Sequence, residues 1–198
     1  MTTRTSHILL VLAAFLSGLV IFLAVFLFAS GQMSPGSPGA SAIGGPFKLV
    51  DQYGKPITEQ DFKGRPFLVF FGYIHCPDIC PATLFEISEV LRALGAEADR
   101  TGAVFITVDP DRDTPAAMKD YAASFDPHLR AATGDEAAIT AVEKAYRVYA
   151  KKVPTDNGDY SVDHTALVYL MDKQGRFVAP FKLNRTPAEA AAELRKYF

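Results

Sequence analysis

Apolar residues fall into three patterns along this chain, and each predicts a different element. Residues 8–29 form an uncharged run broken only by Ser17 and Gly18. As a helix this run would extend about 33 Å, enough to cross the hydrocarbon core of a bilayer and too long for the apolar core of a cleaved secretory signal. Shorter unbroken runs occur at 67–71 (Phe-Leu-Val-Phe-Phe), 103–108 (Ala-Val-Phe-Ile-Thr-Val) and 166–170 (Ala-Leu-Val-Tyr-Leu). Runs of this length, rich in β-branched and aromatic residues, read as strands buried on both faces. Elsewhere the apolar positions recur every three or four residues. Leu84, Ile87, Leu91 and Leu94 share one helical face that starts at Pro81 and stops at Gly95. Met118, Tyr121 and Phe125 follow the N-cap pair Thr114-Pro115, and Ile139, Val142 and Tyr146 follow Asp135. Ala190, Leu194 and Phe198 follow the capping box that Thr186 makes with Glu189.

Two hairpins complete the plan. Phe47-Lys48-Leu49-Val50 leads into a turn around Tyr53-Gly54-Lys55, and Asp172-Lys173-Gln174-Gly175 turns the 166–170 strand into Phe177-Val178. Strands and helices alternate, and the chain finishes on a hairpin and a helix. That order predicts an α/β, thioredoxin-like fold with an N-terminal β-hairpin extension, preceded by one transmembrane helix. The organisation expected is a cytoplasmic N-terminus (1–7), a membrane anchor (8–29), a linker (30–46) and one domain (47–198). Residues 30–46 are rich in Ser, Gly and Pro, the composition of a flexible tether. Arg4 and the α-amino group precede the apolar run, whereas 30–47 carries no charge, so the domain is expected outside. It would face an oxidising compartment, the bacterial periplasm (or the mitochondrial intermembrane space), with the chain single-pass in the inner membrane. The formal net charge is −2 with no basic block, which argues against a nucleic-acid partner.

The chemistry concentrates at 71–81, Phe-Gly-Tyr-Ile-His-Cys-Pro-Asp-Ile-Cys-Pro, which holds the only two cysteines of the chain, Cys76 and Cys80. Thiols four positions apart on a helical turn can close a disulfide, shuttle electrons or face one soft metal ion. A purely structural disulfide is the weak reading, since so short a loop gains only about 2 kcal/mol from chain entropy. A domain of this size also buries enough core without a staple. The pair sits where a buried strand ends and a helix begins. A helix N-terminus favours anions, so at least one thiol is expected to ionise more readily than a free cysteine.

His164, in Asp159-Tyr160-Ser161-Val162-Asp163-His164-Thr165, precedes the 166–170 strand and follows a loop containing the tight-turn pair Asn157-Gly158. Thioredoxins usually carry a cis-proline at that place, facing the active-site cysteines. Two thiolates and one imidazole form a soft, low-coordinate donor set suited to Cu(I), whereas Zn(II) would call for a fourth ligand. Three segments, 71–81, 108–115 (Val-Asp-Pro-Asp-Arg-Asp-Thr-Pro) and 159–165, resemble the Sco/SenC family of thioredoxin-like copper proteins of cytochrome c oxidase assembly. The resemblance covers roughly residues 45–198. It implies a copper site, Cu(I) or Cu(II), made by Cys76, Cys80 and His164, with Asp109 tuning it from behind the ligands. It also implies delivery to the binuclear copper centre of cytochrome c oxidase subunit II, with another copper chaperone and a thioredoxin-like reductant as further partners. A metallochaperone rather than an enzyme is therefore the first reading. The alternative is a thiol-disulfide oxidoreductase that keeps the acceptor cysteines reduced, with Cys76 attacking and Cys80 resolving.

The other candidates have plainer readings. His75 adjoins Cys76 but should point away from it, in an orienting role. His7 and His128 read as membrane-edge and surface residues, and Met33 as an incidental linker residue. Asp111, Arg112 and Asp113 read equally as a docking loop or a solvated charge cluster, and Lys151-Lys152 as a solvated pair.

Overall fold

The structure is a computed structural model that describes residues 14–22, 25, 43–156 and 158–198. It divides into two compact units, Met1–Ala40 and Ser41–Phe198. In the first, residues 14–22 and 25 are helical, and no helix among the described residues is long and apolar enough to cross a membrane. The rest of the 8–29 run, residues 30–42 of the linker, His7, Met33 and Asn157 lie outside the described residues.

The second unit is built on a seven-stranded sheet, with a separate two-stranded one beside it. The strands are β1 (Lys48–Asp51), β2 (Pro56–Thr58), β3 (Phe67–Gly72), β4 (Gly102–Thr107), β5 (Leu129–Thr133), β6 (Ala150–Pro154), β7 (Tyr160–His164), β8 (Val168–Met171) and β9 (Phe177–Pro180). The helices are α1 (Ile79–Leu94), α2 (Pro115–Ala122), α3 (Glu136–Tyr146) and α4 (Pro187–Arg195). The large sheet runs β2-β1-β5-β4-β3-β8-β9, with β3, β4 and β5 mutually parallel. The opening hairpin β1–β2 extends the sheet beyond β5, and β8–β9 extends it beyond β3, both antiparallel. Among the described residues, strands β6 and β7 pair only with each other.

The apolar runs explain this layout. Every residue of β3, β4 and β8 is buried, as strands covered on both faces must be. Helix α1 buries Leu84, Ile87, Leu91 and Leu94 and packs on α4. It stops at Gly95, whose φ of 59° lies in the left-handed region that a Cβ disfavours. The predicted N-caps are in place: Thr114 accepts from Ala117 N, Asp135 from Ala138 N and Thr186 from Glu189 N. Phe70, Phe71, Phe105 and Tyr146 are among the largest fully buried side chains.

Three features differ from the expectation. Helix α1 begins at Ile79 behind Asp78, so Pro81 is its third residue rather than its first. Proline is still tolerated there, because the first turn leaves its N–H groups without intrahelical acceptors. The chain also folds 150–154 and 160–164 into a hairpin where the sequence suggested only a loop, and adds β5 between β4 and β1.

Candidate metal centre

Strand β3 ends at Gly72, and its parallel neighbour β4 runs alongside to the same level. Beyond it the chain turns through Tyr73, Ile74 and His75, with Cys76 N donating to Tyr73 O at 3.3 Å. Cys76 thus lies in the loop and Cys80 in the first turn of α1, rather than both on one helical turn. Both thiols are free; Cys76 is 9% exposed and Cys80 fully buried.

Gly72 makes room for Cys80. A Cβ at position 72 would stand 2.5 Å from Cys80 Sγ, 3.1 Å from the Phe105 ring and 3.3 Å from the Phe70 ring. A glycine closing a buried strand beside a cysteine motif is a sequence signal of close approach, and it went unread. The loop is fixed from below by Asp113, which is fully buried and whose Oδ2 accepts from Ile74 N at 3.1 Å and Thr107 Oγ1 at 2.6 Å.

His164 comes from the other side, as the last residue of β7. Its Nδ1 lies 3.2 Å from Thr165 O, and a carbonyl only accepts, so Nδ1 carries the proton. Nε2 therefore presents a lone pair, 3.4 Å from Cys80 Sγ, whose thiol donates to it. Tyr73 packs edge-on against the imidazole with centroids 5.7 Å apart, and Phe70 does so at 6.4 Å. Burial holds the His164 pKa below the usual imidazole value, although the Thr165 carbonyl pulls the other way, so the ring is neutral at pH 7.

One donor atom from each of Cys76, Cys80 and His164 lies within 4.8 Å of the others. A metal bonded to two sulfurs at about 2.3 Å holds them no more than about 4.6 Å apart, so these three side chains fit a single ion with little movement. The expected easy ionisation fails at Cys80. Burial pushes its thiol well above the ordinary range, and neighbouring Cys76 and Asp113 push the same way, outweighing a hydrogen bond to the Tyr73 backbone that pulls it down.

Asp109 is buried away from these donors. Its Oδ1 accepts from Tyr160 Oη at 2.8 Å and its Oδ2 pairs with Arg112, which also reaches Asp159 Oδ1 and Tyr160 O, each at 3.1 Å. The 111–113 segment is not a solvated charge cluster. Asp111 is exposed and pairs with Lys152, but Arg112 is largely covered and Asp113 fully so. Lys152 is accordingly not a merely solvated charge. His75 points to Asp113, Nδ1 to Oδ1 3.8 Å, and His128 lies between Asp126 and Asp99, well apart in sequence from the cysteine loop.

Comparison with known proteins places this arrangement. A family model described as SCO1/SenC matches residues 35–198. An SCO2-like protein of Rickettsia prowazekii is 40% identical over 149 residues, covering 74% of this chain and 73% of its own. The mitochondrial SCO1 homologue of Mus musculus is 40% identical over 161 residues, covering 80% of this chain but only 57% of the mouse protein. Among solved structures, Bradyrhizobium japonicum ScoI with copper bound is 65% identical, with a TM-score of 0.77 over 79% of this chain and 99% of that one.

Proposed function

The chain belongs to the SCO1/SenC family, with its thioredoxin-like α/β fold, and from that premise we propose that it binds copper and serves cytochrome c oxidase assembly. Cys76, Cys80 and His164 hold the ion. The observation that carries this reading is the convergence of two free thiols and an imidazole lone pair within 4.8 Å.

Copper is the cargo. Two sulfur donors and one imidazole suit Cu(I), and the thiol protons leave as the ion binds. Cys80 supplies a donor whose proton is held until metal displaces it. Cys76, the less buried sulfur, is the one an incoming acceptor thiolate can approach first, so that the ion passes by exchange of ligands. Oxidation of the two thiols to a disulfide, with loss of two electrons and two protons, removes both sulfur donors and couples loading to redox state. Residues 8–29 anchor the chain in the inner membrane, 30–46 tether the domain, and the domain faces the periplasm or the intermembrane space. The acceptor is cytochrome c oxidase subunit II, with another copper chaperone as source and a thioredoxin-like protein as reductant.

One observation favours a second reading, thiol-disulfide exchange. The paired thiols are unequal, with Cys76 placed to attack and Cys80 sheltered to resolve. The test is anaerobic Cu(I) titration of the reduced full chain in detergent. One copper should bind per chain, and His164→Ala should weaken it by at least about 100-fold, the upper end of what losing a supporting residue around a metal costs. Unchanged affinity in that variant, with thiol exchange intact, would replace the copper site with the exchange reading.

A further inference from the structure

His164 is not on the main sheet. It ends the β6–β7 hairpin, which pairs with no other strand among the described residues, so the distance from imidazole to cysteines depends on what ties the hairpin to the domain. At its His164 end the hairpin closes on itself, Thr165 N donating to Tyr149 O and Tyr149 N to Thr165 Oγ1, each at 3.0 Å. Those bonds fix the hairpin's shape and not its place.

At the other end of β7 the hairpin is tied to the post-β4 loop through Arg112, with an exposed pair of Lys152 and Asp111 beside it. The guanidinium sits with its carbon 3.8 Å from the Tyr160 ring centroid and 5.8 Å from that of Tyr73. In the same plane of donors it grips Asp109 of the post-β4 loop, together with Asp159 and the Tyr160 carbonyl of the hairpin. Tyr160 adds its own hydroxyl to Asp109. Tyr73, which the guanidinium covers, is the ring that packs edge-on against His164. Arg112 therefore reaches the imidazole by two routes, along β7 from Tyr160 and across the Tyr73 ring. A planar fork that bridges two carboxylates and a carbonyl while stacked between rings is a role a lysine cannot fill.

We infer that Arg112 is a positioning residue: it docks the β6–β7 hairpin and so sets His164 against the cysteine pair. The inference rests on the reading in which His164 ligates copper. Arg112 itself touches none of the donor atoms, and all of its effect on copper passes through the histidine.

A double-mutant cycle tests this. Cu(I) affinity is measured by competition on the reduced full chain in detergent for wild type, Arg112→Gln, His164→Ala and the double variant. Arg112→Gln should weaken binding about tenfold, in the range found for residues that orient metal ligands. In the His164→Ala background it should have no further effect, because nothing remains to be positioned. Hydrogen exchange of the amides at 161–164 should quicken in Arg112→Gln while that of β3 and β4 stays as in wild type. Equal losses in both backgrounds would overturn the inference and leave the ligand set standing. A His164→Ala variant that binds as wild type would overturn the ligand reading, and the inference with it. If Arg112→Gln does not fold, Arg112→Lys, which keeps the cation without the fork, takes its place in the cycle and should bind copper more weakly than wild type, with no further effect in the His164→Ala background. Wild-type affinity in Arg112→Lys would equally overturn the role.

Discussion

The close approach at Gly72 can be turned into a number. In Gly72→Ala the new Cβ would stand 2.5 Å from Cys80 Sγ. Ordinary contact between such atoms lies near 3.5–4.0 Å, so something must yield by about 1 Å. The backbone here is not in the left-handed region, so the cost is steric and comes from packing alone. Overpacking of a filled core by one methyl typically costs about 1–3 kcal/mol, which for a domain of this size lowers Tm by roughly 2–12 °C. The sulfur is the softer neighbour, because the other two contacts, at 3.1 and 3.3 Å, are to rings locked between sheet and helices. Cys80 Sγ should therefore be pushed from its place 3.4 Å from His164 Nε2, and copper affinity should fall along with stability. Thermal melts and Cu(I) competition read the two losses. Pairing Gly72→Ala with Phe105→Leu separates them: room beside the ring should recover part of the stability, but the sulfur stays displaced and copper binding stays weak. A Gly72→Ala protein that melts and binds copper as wild type does would refute the packing argument.

Two further outcomes follow from charge. Because burial raises the Cys80 pKa, its proton is present in the metal-free protein and must be displaced, so apparent Cu(I) affinity should rise with pH. The slope between about pH 6 and pH 8 should be about tenfold per unit for each proton released, and a flat profile in competition titrations would mean the thiols are already ionised. Asp109→Ala removes the buried carboxylate shared by Arg112 and the Tyr160 hydroxyl, leaves Arg112 only Asp159 and the Tyr160 carbonyl, and should destabilise the domain by about 3 kcal/mol in urea unfolding, whereas unchanged stability would make the pair dispensable.

The elements readable from sequence are those whose side chains carry a strong pattern. Strands β3, β4 and β8 announce themselves because nearly every residue is large and apolar, and three helix starts because Thr114, Asp135 and Thr186 are good caps. Strand β5 escaped because the buried residues at its centre are Ala131 and Ala132, too small to register as a run; its place between β4 and β1 is set by pairing. The β6–β7 hairpin escaped because only Val162 along it is buried, so neither alternation nor a run marks it. At the site, the nearness of the cysteines was legible from spacing, and His164 from its place before β8. The support was not. Asp113 and Arg112 look like surface charges in a polar stretch, and only the fold turns them inward. Cys80 shows the same limit, since the depth of its burial, which no local sequence reveals, raises its pKa where its place at a helix start suggested a lowered one.

The separateness of the β6–β7 sheet also gives the copper ion a topological meaning. Cys80 and His164 stand 84 positions apart, and a metal bond joining them closes a loop of that length across the chain. By the chain-entropy relation such a tie removes about 4.5 kcal/mol of freedom from the unfolded ensemble, against about 2 kcal/mol for the short ring a Cys76–Cys80 disulfide would close. Under the proposed ligand set, the same sulfur would take part in a long-range staple when loaded and in a local one when oxidised. With that ligand set, copper departure would unfasten the domain as well as empty it, and oxidation to the Cys76–Cys80 disulfide would not restore the long cross-link.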